Sequence, residues 1–132
     1  MNPLFPVFFQ KNRQIVNQLN EALKDHGLFH AQWTILYLLQ KNGPMSLTEI
    51  WKYLDVEAPT VTRTVSRLQT LGWIERVEAT DKREKIVALT QHAISQFPKI
   101  EASIEAFERN VTQQLSQQEQ QQLMTLLKKL EG

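Results

Sequence analysis

Two arginines four residues apart, Arg63 and Arg67, stand among short hydroxyl side chains in the stretch APTVTRTVSRLQT that begins at Ala58. Val61, Val65, Leu68 and Leu71 recur there at i, i+4, i+7 and i+10, the spacing that gathers apolar side chains on one face of a helix. At about 100° per residue, the opposite face collects Pro59, Thr60, Arg63, Ser66, Arg67 and Thr70. Such a face builds no core. It can donate hydrogen bonds to phosphates and base edges, and an arginine can hold guanine through two bonds at once. The chemistry on offer is recognition of a DNA groove. An ordinary solvated helix face would use the same residue types, so the neighbouring segments have to decide.

Gly72 offers a permissive stop to this helix, Trp73 to Glu78 alternates apolar and polar residues as a half-buried strand does, and Ile86 to Leu89 makes a second apolar strand. Between the strands lies a charged tip, Ala79-Thr80-Asp81-Lys82-Arg83-Glu84. A helix followed by a hairpin with a charged tip is the winged helix-turn-helix plan, in which the helix enters the major groove and the tip meets the backbone or the adjacent minor groove. Lys82 and Arg83 are the residues suited to that contact, and Asp81 is close enough in a tight turn to bond the backbone or hold Arg83. A merely solvated hairpin is the alternative.

These residues need elements to position them. Ser46-Leu47-Thr48-Glu49 is a capping box that opens a short helix with Leu47, Ile50, Trp51 and Leu54 facing inward, closing near Asp55. Three residues later the arginine-bearing helix begins, with Pro59 in its first turn and Glu57 as a weak cap. Upstream, apolar residues from Phe5 to Lys24 recur at mostly helical spacing with Gly27 as a stop, and a helix from His30 to Lys41 is apolar nearly all round. Downstream, Thr90 caps a long helix reaching Leu115, which Pro98 should kink; Ser116-Gln117-Gln118-Glu119 is a second capping box before a final helix through Leu130. The glutamines of 113–122 read as an exposed helical face. The phenylalanines of the first helix must be covered, by their own domain or by a second subunit. Neither terminal helix can bury its stripe on so small a domain, which predicts a two-fold homodimer.

The expected fold is therefore mainly α with a small β-hairpin wing, in one compact chain. Residues 1–29 and 91–132 form a helical dimerisation region built from both termini, and residues 30–90 form a winged helix-turn-helix lobe.

The formal charge of +1 argues against binding nucleic acid by bulk electrostatics. From Glu57 to Thr90, six basic residues (Arg63, Arg67, Arg76, Lys82, Arg83, Lys85) face five acidic ones (Glu57, Glu75, Glu78, Asp81, Glu84). DNA binding would have to rest on a few well-placed cations in a dimer. Cysteine is absent, which excludes disulfides, thiolate metal sites and a cysteine redox switch. No apolar run approaches the ~20 residues needed to span a bilayer, and the amino terminus lacks the pattern of a secretion signal, so a cytoplasmic location is expected. His26, His30 and His92 have no cysteine or clustered carboxylate at ligand spacing, and no nucleophile elbow, glycine-rich phosphate loop or HExxH pattern occurs. No metal, no cofactor and no enzymatic activity are expected.

Over nearly its whole length the chain resembles the MarR family of bacterial transcriptional regulators. The resemblance is carried by Pro59-Thr60-Val61-Thr62-Arg63, by Leu68 to Leu71-Gly72 with Trp73-Ile74-Glu75-Arg76, by Asp81-Lys82-Arg83-Glu84, and by Val87-Ala88-Leu89-Thr90. It implies a homodimer on a palindromic DNA operator, acting as a repressor, and in many members release by a small molecule or by cysteine oxidation. The second mode is closed to a chain without cysteine. By the same resemblance Pro59, Thr60, Thr62, Arg63 and Arg67 are recognition-helix contacts and Arg83 is the wing contact, positioned by Asp81. Ala93 stands where a glycine is common, and Glu84 where a second aspartate is frequent. Where dimerisation helices meet the lobe, the family tends to hold effectors, which points to Phe8, Trp33, Tyr37 and Phe97; aromatics at helical spacing also serve simply as core. A winged-helix module for protein contacts, with solvated arginines, is the competing function.

Overall fold

The computed structural model describes residues 1–78 and 83–131. The chain begins with helix α1 (Leu4–Leu23), which runs into a 3-10 turn (Lys24–His26) and stops at Gly27, whose φ of 72° lies in the left-handed region. Helix α2 (His30–Asn42) contributes Trp33, Ile35, Leu36, Leu38 and Leu39 to the core and is the central element expected from its apolar circumference. Tyr37 departs from that expectation and stays half exposed.

Strand β1 (Met45–Ser46) and helix α3 (Leu47–Leu54) follow. Ser46 has two roles. Its side chain accepts from the Glu49 amide while Glu49 accepts from the Ser46 amide, both at 3.1 Å, closing the capping box read from the sequence. As a strand residue it also pairs with Ile86. After the αL residue Asp55 (φ 54°), helix α4 (Ala58–Thr70) begins behind Glu57, which makes no side-chain cap bond. Strands β2 (Ile74–Val77) and β3 (Ile86–Leu89) form the expected hairpin, with Ile74 opposite Leu89 and Val77 opposite Ile86. The sheet has three strands rather than two, in the order β1-β3-β2, because β1 adds to the free edge of β3. Two residues are too few to leave an alternating pattern in a sequence.

Helix α5 (Gln91–Val111) is capped by Thr90, whose hydroxyl accepts from the Ala93 amide at 3.1 Å. It passes Pro98 as a single element and ends at Val111, short of the predicted Leu115. Ser116 and Glu119 form the second predicted capping box, and helix α6 (Gln117–Lys129) follows. The core sits where α2, α3, α4 and the sheet converge, and it reaches α5 through Ala93, Phe97 and Ile100. Helix α1 packs along α5, and His26 Nε2 lies 2.8 Å from Ser103 Oγ, tying the two ends of the chain together. The outer stripes of α1 and α6 remain uncovered in the single chain: Phe9 is 53% exposed and Leu126 59%. Among the described residues, no helix is long and apolar enough to cross a membrane.

Candidate nucleic-acid interface

Helix α4 is anchored by Val61, Val65 and Leu68, which are all at most 2% exposed. Burial of that order contributes about 1.5 to 3 kcal/mol per side chain. Leu71, predicted on the same stripe, is the C-cap and is 39% exposed, since the helical phase ends at Thr70. The C-terminus closes as a Schellman motif. The Trp73 amide donates to the Leu68 carbonyl at 2.9 Å and the Gly72 amide to that of Gln69 at 3.1 Å, with Gly72 at φ 85°. Trp73 and Leu68 are both buried, so the helix end and the start of β2 are one packed unit.

Thr90 extends that unit to α5. Its hydroxyl donates to the Gly72 carbonyl at 2.6 Å while accepting from Ala93, and its amide donates to the Trp73 carbonyl at 3.1 Å. The sequence shows Thr90 as a cap; that it also holds the end of α4 is visible only in three dimensions.

The opposite face of α4 is open. Pro59, Thr60, Arg63, Ser66, Arg67 and Thr70 are all exposed, as the spacing predicts, and so is Thr62, which the resemblance had added. Neither Arg63 nor Arg67 has a hydrogen-bond or ion-pair partner among the described residues. Two arginines one turn apart on one helix present forked donors that nothing among the described residues neutralises. Arg83 is exposed; Asp81 and Lys82 lie outside the described residues.

Beside this face, α3 contributes Lys52, exposed and 5.9 Å from the Trp51 ring centroid, in a groove shared with Pro59. The helical spacing of α3 marks only its inward side, so Lys52 carries no signal in the sequence. A cavity of about 260 Å³ lies behind α4, lined by His30, Ala31, Thr34, Ile35, Leu54, Val56, Thr60, Val61 and Thr64. The aromatic group proposed from the sequence is arranged differently. Trp33 and Phe97 are buried with ring centroids 5.0 Å apart, Tyr37 lies 6.3 Å from Trp33, and the Phe8 ring meets Phe9 of its own helix. Packed rings fill space; the open volume lies against the other side of α2.

The description of the MarR family matches residues 28–85, the segment from the start of α2 to the wing. An HTH-type transcriptional regulator of Bacillus subtilis, YwoH, of uncharacterised role, is 46% identical over 102 residues, covering 77% of this chain and 74% of that protein. The chain belongs to the MarR family. It is a transcriptional regulator, in a family that is not enzymatic. Among solved structures, a cysteine-to-serine mutant of MarR from E. coli complexed with operator DNA is 28% identical with a TM-score of 0.90, covering 96% of this chain and 92% of that one. A second crystal structure of the same mutant is 27% identical with a TM-score of 0.78, covering 98% and 96%. A probable transcriptional regulator from Pseudomonas aeruginosa is 26% identical with a TM-score of 0.85, covering 95% and 94%.

Proposed function

We propose that this MarR-family chain is a sequence-specific repressor that binds double-stranded DNA as a homodimer on a palindromic operator, in the cytoplasm, and releases it when a small-molecule effector binds. The observation that carries this reading is the outward face of α4, with Arg63 and Arg67 unpaired among the described residues on a helix fixed at its C-terminus to both β2 and α5. Residues 30–90 would meet DNA while 1–29 and 91–132 pair the subunits. Pro59, Thr60, Thr62, Arg63, Ser66 and Arg67 face the major groove, Asp81, Lys82 and Arg83 form the wing contact, and Lys52 reaches a phosphate from α3. The closer likeness to the operator-complexed form of one mutant than to its other form supports a protomer arranged as a DNA-bound one is. An effector would act at the cavity behind α4, since the rings of Trp33 and Phe97 are packed against each other, and it would weaken DNA binding only by its differential affinity for the two states.

Fluorescence anisotropy with duplexes tiled around the protein's own gene, at several salt concentrations, tests the reading. One fragment should bind tightly, with affinity falling steeply as salt rises, and the variant Arg63→Ala/Arg83→Ala should lose it. Weak, uniform binding that ignores both substitutions would favour the protein-contact module instead.

A further inference from the structure

Three threonines of α4 commit their hydroxyl hydrogens to the helix itself. Thr62 donates to the Ala58 carbonyl at 3.0 Å, Thr64 to that of Thr60 at 2.9 Å, and Thr70 to that of Ser66 at 3.1 Å. A hydroxyl turned back onto the preceding turn no longer donates outward, and the γ-methyl becomes the group that the side chain offers to a partner. Thr62 matters most, because it is exposed and lies near the N-terminal end of the helix. Ala58, four residues earlier on the same face, and Pro59 beside it are exposed as well. Ala58 Cβ, the Pro59 ring and the Thr62 methyl thus form a small apolar patch next to Arg63. Ser66, one turn further on, keeps a hydroxyl with no partner among the described residues.

The N-terminal residues of a recognition helix are the ones that reach base edges. Among the four bases, only thymine shows a methyl group in the major groove. We infer that the patch of Ala58, Pro59 and Thr62 reads the 5-methyl group of a thymine, one in each half-site, adjacent to the base pair that Arg63 contacts. This rests on the DNA-binding reading above and adds to it the kind of base and the kind of contact. Thr62 is then a base reader through its methyl group and not a phosphate ligand, since a phosphate oxygen needs a donor and the Thr62 proton is already placed.

The test replaces thymines of the operator duplex by deoxyuridine, one symmetric pair at a time, which removes a methyl group and leaves base pairing intact. For the wild-type protein, one pair of positions should weaken binding by about fourfold per half-site, or about fifteenfold for both, the value of burying one methyl-sized group at each. Thr62→Val keeps the methyl groups without the hydroxyl and should retain the preference for thymine over uracil. Thr62→Ser keeps the hydroxyl without the methyl and should bind both duplexes almost equally. Thermal unfolding of both variants checks that the helix is intact. Wild-type binding to the thymine duplex against a scrambled one is read first. No preference there removes the DNA-binding reading itself. Specific binding that ignores uracil at every position, or a thymine preference undiminished in Thr62→Ser, overturns the methyl contact while leaving that reading in place.

Discussion

Arg63 and Arg67 occupy successive turns of one helix face, yet their expected roles differ. Arg63 lies nearer the N-terminus, the end by which a recognition helix approaches base edges, and Arg67 lies one turn further along. Arg63→Ala should lower operator affinity by roughly 1 to 3 kcal/mol, and Arg63→Lys should recover little of it, because an ammonium cannot reproduce the planar fork on guanine. Competition between operator and scrambled duplexes measures this: a base reader loses specificity along with affinity. Arg83→Ala should weaken operator and scrambled duplexes alike and reduce the salt slope by about one per subunit, as loss of a phosphate contact does. A slope unchanged from the wild type would take Arg83 out of the interface. At this scale the sequence was informative about which residues face outward, because helical spacing alone separates Arg63 from Val61. It was silent about where the hydroxyls bond: Thr62, Thr64 and Thr70 look like outward donors as letters, and in the folded helix each donates to the carbonyl four residues back and turns its methyl group outward.

What presents these side chains together on one face is the fixing of α4 by its neighbours. Its C-terminal carbonyls are taken by the Gly72 and Trp73 amides, and the Gly72 carbonyl is taken in turn by Thr90, so one threonine joins the helix end, β2 and α5. Thr90→Ala removes a helix cap and also leaves a partly buried carbonyl without its donor. The expected cost is about 1 to 3 kcal/mol in urea unfolding, larger than for an exposed cap, and Thr90→Ser should restore most of it. Failure of serine to rescue would place the effect in the lost methyl group and not in the two hydrogen bonds. The elements themselves were largely legible, since capping boxes at Ser46 and Ser116 and the spacing of Val61, Val65 and Leu68 are local signals. The errors fall where three-dimensional pairing decides. Strand β1 exists because β3 offers it an edge, α5 ends at Val111 before the chain turns to the Ser116 cap, and Leu71 lies outside the helix whose phase predicted its burial.

For the whole molecule, the protomer's outer stripes and its charge lead to the same requirement. Leu123, Leu126 and Leu127 of α6, Leu130 just beyond it, and Phe5 and Phe9 of α1 are exposed as a set, far more apolar surface than scattered leucines would give. With a net charge of +1, a single lobe has little long-range attraction for DNA. Two lobes held at a fixed separation change this: the contacts of the second half-site then form within an already bound complex, at the high effective concentration of a linked site. Operator affinity should therefore depend on the contacts between subunits as strongly as on the arginines. Leu127→Glu places a charge on the uncovered stripe without entering the core of the lobe. It should yield monomers by sedimentation, with the unfolding of the lobe little changed. Its operator binding should lose affinity and show about half the wild-type salt slope, since half as many phosphates are contacted per binding event. A variant that is monomeric yet binds with the full slope would mean that pairing of the stripes is not what joins the two recognition helices. A variant that remains dimeric would assign the interface to the phenylalanines of α1, and Phe9→Glu would then be expected to separate the subunits.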